Sequence, residues 1–135
     1  MTTTSFGPQL IGETEKTLNA LLARHLDGTG LTEPLWVTLR VATQLDGTVD
    51  DRGLAAAVAG RARYADAPAL VRTLTTRGVL DGGRTTAAGR ALLGRVQAAL
   101  ASDVTAVFSG LPADDVAAAT RVLTELVTRA RQRLV

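Results

Sequence analysis

The sequence predicts a mainly α-helical protein, and three observations carry that expectation. Alanine and leucine, the strongest helix formers, occur 23 and 20 times in 135 residues. The only aromatics are Phe6, Trp36, Tyr64 and Phe108, so the aromatic enrichment of sheets is thin. Apolar residues also recur at helical spacing along most of the chain. The length fits one domain with a real core, and 46% apolar against 21% charged residues is a globular composition, not a disordered one. With no cysteine, disulfides, thiolate nucleophiles and cysteine metal sites are excluded, and the single His25 leaves no histidine-based metal cluster. The start, Met1 to Ser5, lacks a basic leader region, and no apolar run approaches the roughly 18 residues of a membrane span. A cytoplasmic protein with no membrane partner and no cofactor is expected.

Taken in order, the first helix spans Pro8 to about Leu26, with Ile11, Leu18, Leu21, Leu22 and His25 or Leu26 on one stripe, and Asp27-Gly28-Thr29-Gly30 ends it. Thr32 caps a second helix with Pro34 in its first turn. Leu35, Trp36, Leu39, Ala42 and Leu45 run to the stop at Asp46-Gly47. Thr48 to Asp51 is expected to be short and extended, with Asp50 or Asp51 as a cap. A brief helix from about Leu54 to Ala59 follows, closed by Gly60. Asp66-Ala67-Pro68 reads as a cap with proline in the first turn of a fourth helix, through Leu70, Val71 and Leu74 to Arg77 and Gly78. Val79-Leu80, Asp81-Gly82-Gly83 and Arg84-Thr85 predict a minimal hairpin. A long helix from Thr86 towards Phe108 carries Leu92, Val96, Ala99, Leu100, Val104 and Val107. Ser109-Gly110 breaks it, and Pro112 starts the last helix, with Asp114 and Asp115 at its positive end. That helix bears a stripe of Val116, Ala119, Leu123, Leu126, Val127, Ala130 and Leu134.

The net charge of +2 conceals an uneven distribution. Residues 1–51 hold three cations against seven carboxylates, residues 52–95 eight arginines against Asp66 and Asp81, and residues 96–135 four of each sign, giving −4, +6 and 0. A basic segment favours phosphate-rich partners, and arginine offers a planar fork suited to phosphate and guanine edges. A GC-rich coding bias explains arginine over lysine, but not why the acids avoid the same stretch.

This element order is that of a winged helix-turn-helix lobe between flanking helices, and the chain resembles the MarR (multiple-antibiotic-resistance regulator) family of bacterial transcription regulators. The markers are Gly30-Leu31-Thr32 with Trp36 and Leu39, Leu70 to Leu74 with Gly78-Val79-Leu80, Thr86 to Arg90, and Leu111-Pro112. The resemblance implies a single domain over 1–135, with dimerisation helices at about 8–30 and 86–135 around a winged-helix lobe at about 31–85. It also implies a homodimer joined through the first, fifth and sixth helices, double-stranded DNA bound by helix and wing, and a small ligand held between the dimer base and the DNA lobe. A dimer follows from the residues as well, because the apolar stripes of the terminal helices need cover, from a partner or from each other.

Two departures stand out. Where the family has a wing of a dozen or more residues, this chain has Asp81-Gly82-Gly83-Arg84, so Arg84 alone can stand in for a minor-groove arginine. The segment Tyr64 to Ala69 places Pro68 where a helix interior would break, so the recognition helix starts late. Asp66 there repels phosphate, and the alanines can touch a thymine methyl but form no hydrogen bonds.

The candidate DNA-binding residues are Arg61, Arg63, Tyr64, Arg72, Arg77 and Arg84. A candidate pocket for a small apolar or aromatic ligand comprises His25, Trp36, Arg40 and Tyr64, since pockets are mostly apolar with a few placed polar groups; His25 and Trp36 also read as half-buried and core residues. No catalytic or metal-binding residue is assigned. Ser5, Ser102 and Ser109 stand in no recognisable nucleophile elbow, and the carboxylate pairs Glu13/Glu15 and Asp114/Asp115 do not share a helix face. Three expectations result: a dimeric DNA-binding regulator answering to a small ligand, a wing-degenerate relative that no longer binds DNA and uses an inter-lobe pocket for ligand binding or a small biosynthetic reaction, or a dimeric interaction module.

Overall fold

The computed structural model describes residues 4–135. They form a mainly helical fold in the order α1 (Pro8–Leu26), α2 (Glu33–Leu45), α3 (Asp51–Ala62), α4 (Ala67–Thr76), β1 (Leu80–Asp81), β2 (Arg84–Thr85), α5 (Ala87–Phe108) and α6 (Ala113–Arg133). The chain divides into two compact units that part between Ala101 and Ser102, within α5.

The first unit is organised around α2. Thr32 caps it, its hydroxyl accepting from the Leu35 N–H, and Leu35 to Leu39 with Val41 and Ala42 are all buried. So many buried positions in one helix mean that it is covered on nearly every side, here by α1, α3, α4 and β2. Leu39, Leu54, Val58 and Leu74 are completely buried at the junction of α2, α3 and α4, and Leu26, Trp36, Leu80, Leu93 and Val96 belong to the same cluster. The buried Thr38 donates to Pro34 O at 2.8 Å, and Thr85 shares a 2.8 Å hydrogen bond with Thr43 that ties β2 to α2. Buried hydroxyls are thus paired, as a low-dielectric core requires.

The hairpin forms one residue later than expected. The Val79 N–H donates to Leu74 O and the Gly78 N–H to Thr75 O, so Val79 belongs to the turn that closes α4 and not to the strand. Asp81 is therefore a strand residue, and the antiparallel register pairs Leu80 with Thr85 and Asp81 with Arg84. Gly82 and Gly83 have φ of +59° and +81°, the primed two-residue turn whose twist matches a hairpin. Gly83 is also pressed against the connector before α3: a Cβ there would lie 2.6 Å from Val49 O. The hairpin tip is thereby packed against the α2–α3 connector.

The third helix differs most from the sequence expectation. Thr48 and Val49 form bends and no strand, Asp50 is the N-cap, and α3 starts at Asp51 and runs through Gly60 to Ala62. The cause lies at both ends. Asp50 Oδ1 accepts the Gly53 N–H at 2.8 Å, which starts the helix early, and Arg63, at φ +59°, takes the left-handed terminal position expected at Gly60.

Thr86 caps α5, accepting the Gly89 N–H at 3.1 Å while its hydroxyl donates to Gly78 O. Gly89 lies so close to the Val79 carbonyl and Thr85 that no Cβ fits between them. By length and composition alone α5 could cross a membrane. Only Gly89, Leu93 and Val96 of this helix are buried, and most of its length is exposed.

The second unit contains the end of α5 and all of α6. Asp114 and Asp115 occupy the first turn of α6 and Arg131 and Arg133 its last, both complementary to the helix dipole. No α6 residue is buried, and Val116, Val122, Leu123, Leu126 and Val127 are exposed along it.

Candidate functional site

Residues 63–66 form the short turn that joins α3 to α4. Arg63 reverses the chain and Asp66 receives α4, its Oδ1 accepting the Ala69 N–H at 3.2 Å. The late start expected from Pro68 is what forms, with that proline in the first turn. The Asp66 carboxylate is occupied as a cap. Ala67, Val71 and Leu74 bury one face of α4, which leaves Pro68, Arg72, Thr75 and Thr76 exposed. The hydroxyls of Thr73 and Thr75 donate to Ala69 O and Val71 O. Arg72 is therefore the one charged group on the outward face of α4.

The arginines of the candidate interface have different surroundings. Arg61, Arg63 and Arg72 are exposed, and Arg61 shares one N–H with Gln44 Oε1 at 2.9 Å. Arg77 donates to Gly30 O at 2.5 Å and so ties the end of α4 to the α1–α2 loop. The Arg84 guanidinium lies flat over the α2–α3 turn, where a Cβ on Gly47 would come within 2.6 Å of it. These last two act as braces within the lobe.

The four residues of the candidate pocket are not brought into one cavity. Trp36 is only 3% exposed and packed in the core, since its large ring lies on the fully covered helix α2. His25 lines a depression with Leu92, Arg95, Val96 and Ala99. Arg40 is exposed on the surface. Tyr64 instead lines a cleft of about 450 Å³ between α3 and α4, with Arg52, Ala55, Ala56, Ala59, Pro68, Val71 and Arg72 among its other walls. The Tyr64 hydroxyl donates to Glu33 Oε1 at 2.6 Å. Burial, then the hydrogen bond to Glu33 and its negative charge, push the phenol well above its ordinary range, while Arg40 pulls the other way.

Sequence reasoning had not anticipated the cleft. Its local signal is the set Ala55, Ala56 and Ala59 on α3 opposite Ala67 and Pro68, small residues where a helix pair usually carries larger ones. The Tyr64–Glu33 bond spans 31 residues and has no local signal. Among the described residues, no three histidine, aspartate or glutamate side chains gather as a metal site would need. Comparison of the chain with models of protein families, with curated proteins and with solved structures finds no match.

Proposed function

We propose that this protein is a dimeric, DNA-binding transcription regulator of the MarR kind, with a wing too short to probe a groove. The observation that carries the proposal is the α3–α4 helix pair, with Arg61 on α3, Arg63 in the connecting turn and Arg72 on α4 all exposed, and α2 packed against both helices. A rigid helix pair presenting unburied guanidiniums suits the sugar-phosphate backbone, while the single charged group on the outward face of α4 offers little direct base readout. Exposed apolar residues along α6 support assembly as a homodimer, which would pair two such lobes.

The test is fluorescence anisotropy with a duplex from the region upstream of the protein's own gene and with a random duplex of equal length, both at physiological salt. Tighter binding to the upstream duplex is expected. Equal affinity for the two would overturn sequence-specific regulation.

A second reading is a wing-degenerate relative that has given up DNA for a small ligand. Two observations favour it: Gly83 packs the hairpin tip against the α2–α3 connector, and an apolar cleft opens between the two helices of the motif. Absence of any salt-dependent duplex binding would select it.

A further inference from the structure

The α3–α4 cleft has a direction. At its closed end, where the connecting turn joins the helices, the walls are Ala59, Tyr64, Ala65, Ala67 and Pro68. At its far end, one to two turns along each helix, stand Asp51, Arg52 and Arg72. Among the described residues neither Arg52 nor Arg72 has a hydrogen-bond or ion-pair partner. Two guanidiniums against one carboxylate leave that end with one net positive charge, and the start of α3 adds its dipole. The walls are aliphatic apart from Tyr64, whose hydroxyl is already committed to Glu33. From Arg52 to Ala59 the groove follows α3 for about 10 Å, at 1.5 Å per residue. Its volume of about 450 Å³ is within the range of small-molecule sites.

We propose that this cleft binds a medium-chain aliphatic monocarboxylate, its alkyl tail against Ala56, Ala59 and Pro68 and its carboxylate between Arg52 and Arg72. The alanine methyls and the proline ring offer dispersion and apolar burial to a narrow chain, and offer no stacking face to a planar one. A monoanion matches the single net charge at the mouth. A neutral head would leave both guanidiniums unanswered, and a dianion would meet Asp51. Occupancy has a regulatory consequence that rests on the DNA-binding reading proposed above. Arg72 belongs both to the cleft and to the outward face of α4, so a carboxylate held there competes with phosphate for the same fork.

The experiment is calorimetric titration of the full chain with octanoate, octanol and benzoate, followed by duplex anisotropy with and without octanoate. Octanoate is expected to bind about tenfold more tightly than octanol, the worth of one charge-assisted contact at a half-open site, and more tightly than benzoate. Arg72→Gln should bring octanoate and octanol to near parity. Ala59→Leu should fill the closed end and weaken both, and Ala56→Leu, at an exposed position, serves the same purpose should the first variant fold poorly. Octanoate binding that is absent at millimolar concentration, or unchanged in a folded leucine variant, overturns the site, as does a preference for benzoate. The two readings fail separately. Duplex binding that octanoate leaves unchanged, while octanoate binds in the cleft, overturns the competition and spares the regulator. Octanoate binding without any duplex binding overturns the regulator and spares the site.

Discussion

Arg72 and Arg77 both lie on the C-terminal side of α4 and both are exposed, yet replacing each with alanine should have opposite consequences. Arg77 is engaged with Gly30 O, and Arg84 lies over Gly47, so neither is available to phosphate without breaking a contact inside the lobe. Arg63 and Arg72 remain, and Arg61 keeps further N–H groups beside the one on Gln44, which would make six phosphate contacts in the proposed dimer. Each neutralised phosphate contributes about −0.9 to the slope of log K against log salt, so the wild-type slope should be about −5. Affinity should then fall about a thousandfold between roughly 50 and 200 mM salt. Arg72→Ala removes two of the six contacts and should flatten the slope to about −4. Arg77→Ala should leave the slope unchanged and lower thermal stability instead, by about 1 kcal/mol for a lost charge-assisted bond to an exposed carbonyl. The assay is duplex anisotropy over a salt series, with circular-dichroism melts of both variants. A wild-type slope shallower than about −2, or equal flattening by both variants, would refute this division of the arginines.

Three further expectations follow from particular contacts. Tyr64 is the only tyrosine, so tyrosinate absorbance reports it alone, and in the folded protein it should ionise well above the ordinary value of about 10. Because the unfolded chain releases that proton first, its contribution to stability is complete below pH about 10 and declines as pH rises further. Glu33→Gln should move the titration part of the way back, and a wild-type titration at the ordinary value would show that the burial and the Glu33 contact are absent in solution. Trp36→Ala should act through the core and not through a ligand, lowering stability by about 3–5 kcal/mol in denaturant titrations; a loss below about 1 kcal/mol would contradict its placement in the core. Leu123→Glu, in the middle of the exposed α6 stripe, should shift the mass measured by light scattering from dimer to monomer while helix content persists. An unchanged mass would separate this stripe from assembly.

Much of the architecture was readable because it depends on neighbours in the chain. Thr32, Asp50 and Asp66 cap helices, Gly82-Gly83 forms the tight turn, and Pro68 delays α4, all through contacts spanning a few residues. The third helix departs from the sequence pattern at both ends for a local reason too: the Asp50 cap outweighs the extended tendency of Thr48-Val49, and Gly60 is tolerated inside a helix that ends on Arg63. The site was less legible. Charge alone cannot distinguish Arg72, whose guanidinium is unpartnered, from Arg77 and Arg84, whose partners lie in other elements. Nor can an apolar stripe tell that Trp36 is enclosed while Leu126 is not.

The amino-acid sequence by itself determined the helical class, the order and most ends of the elements, the shortness of the hairpin and the concentration of arginine between residues 52 and 95. Only the tertiary structure decided which arginines face outward, that the hairpin tip rests on Val49 and Asp50, that His25 and Tyr64 line different hollows, and that alanines on α3 and α4 leave a cleft open. The reason is one of range. Capping, turn geometry and periodicity act over a few residues of chain, whereas the partners of Tyr64, Arg77 and Gly83 lie 31 or more residues away and become neighbours only when the core closes.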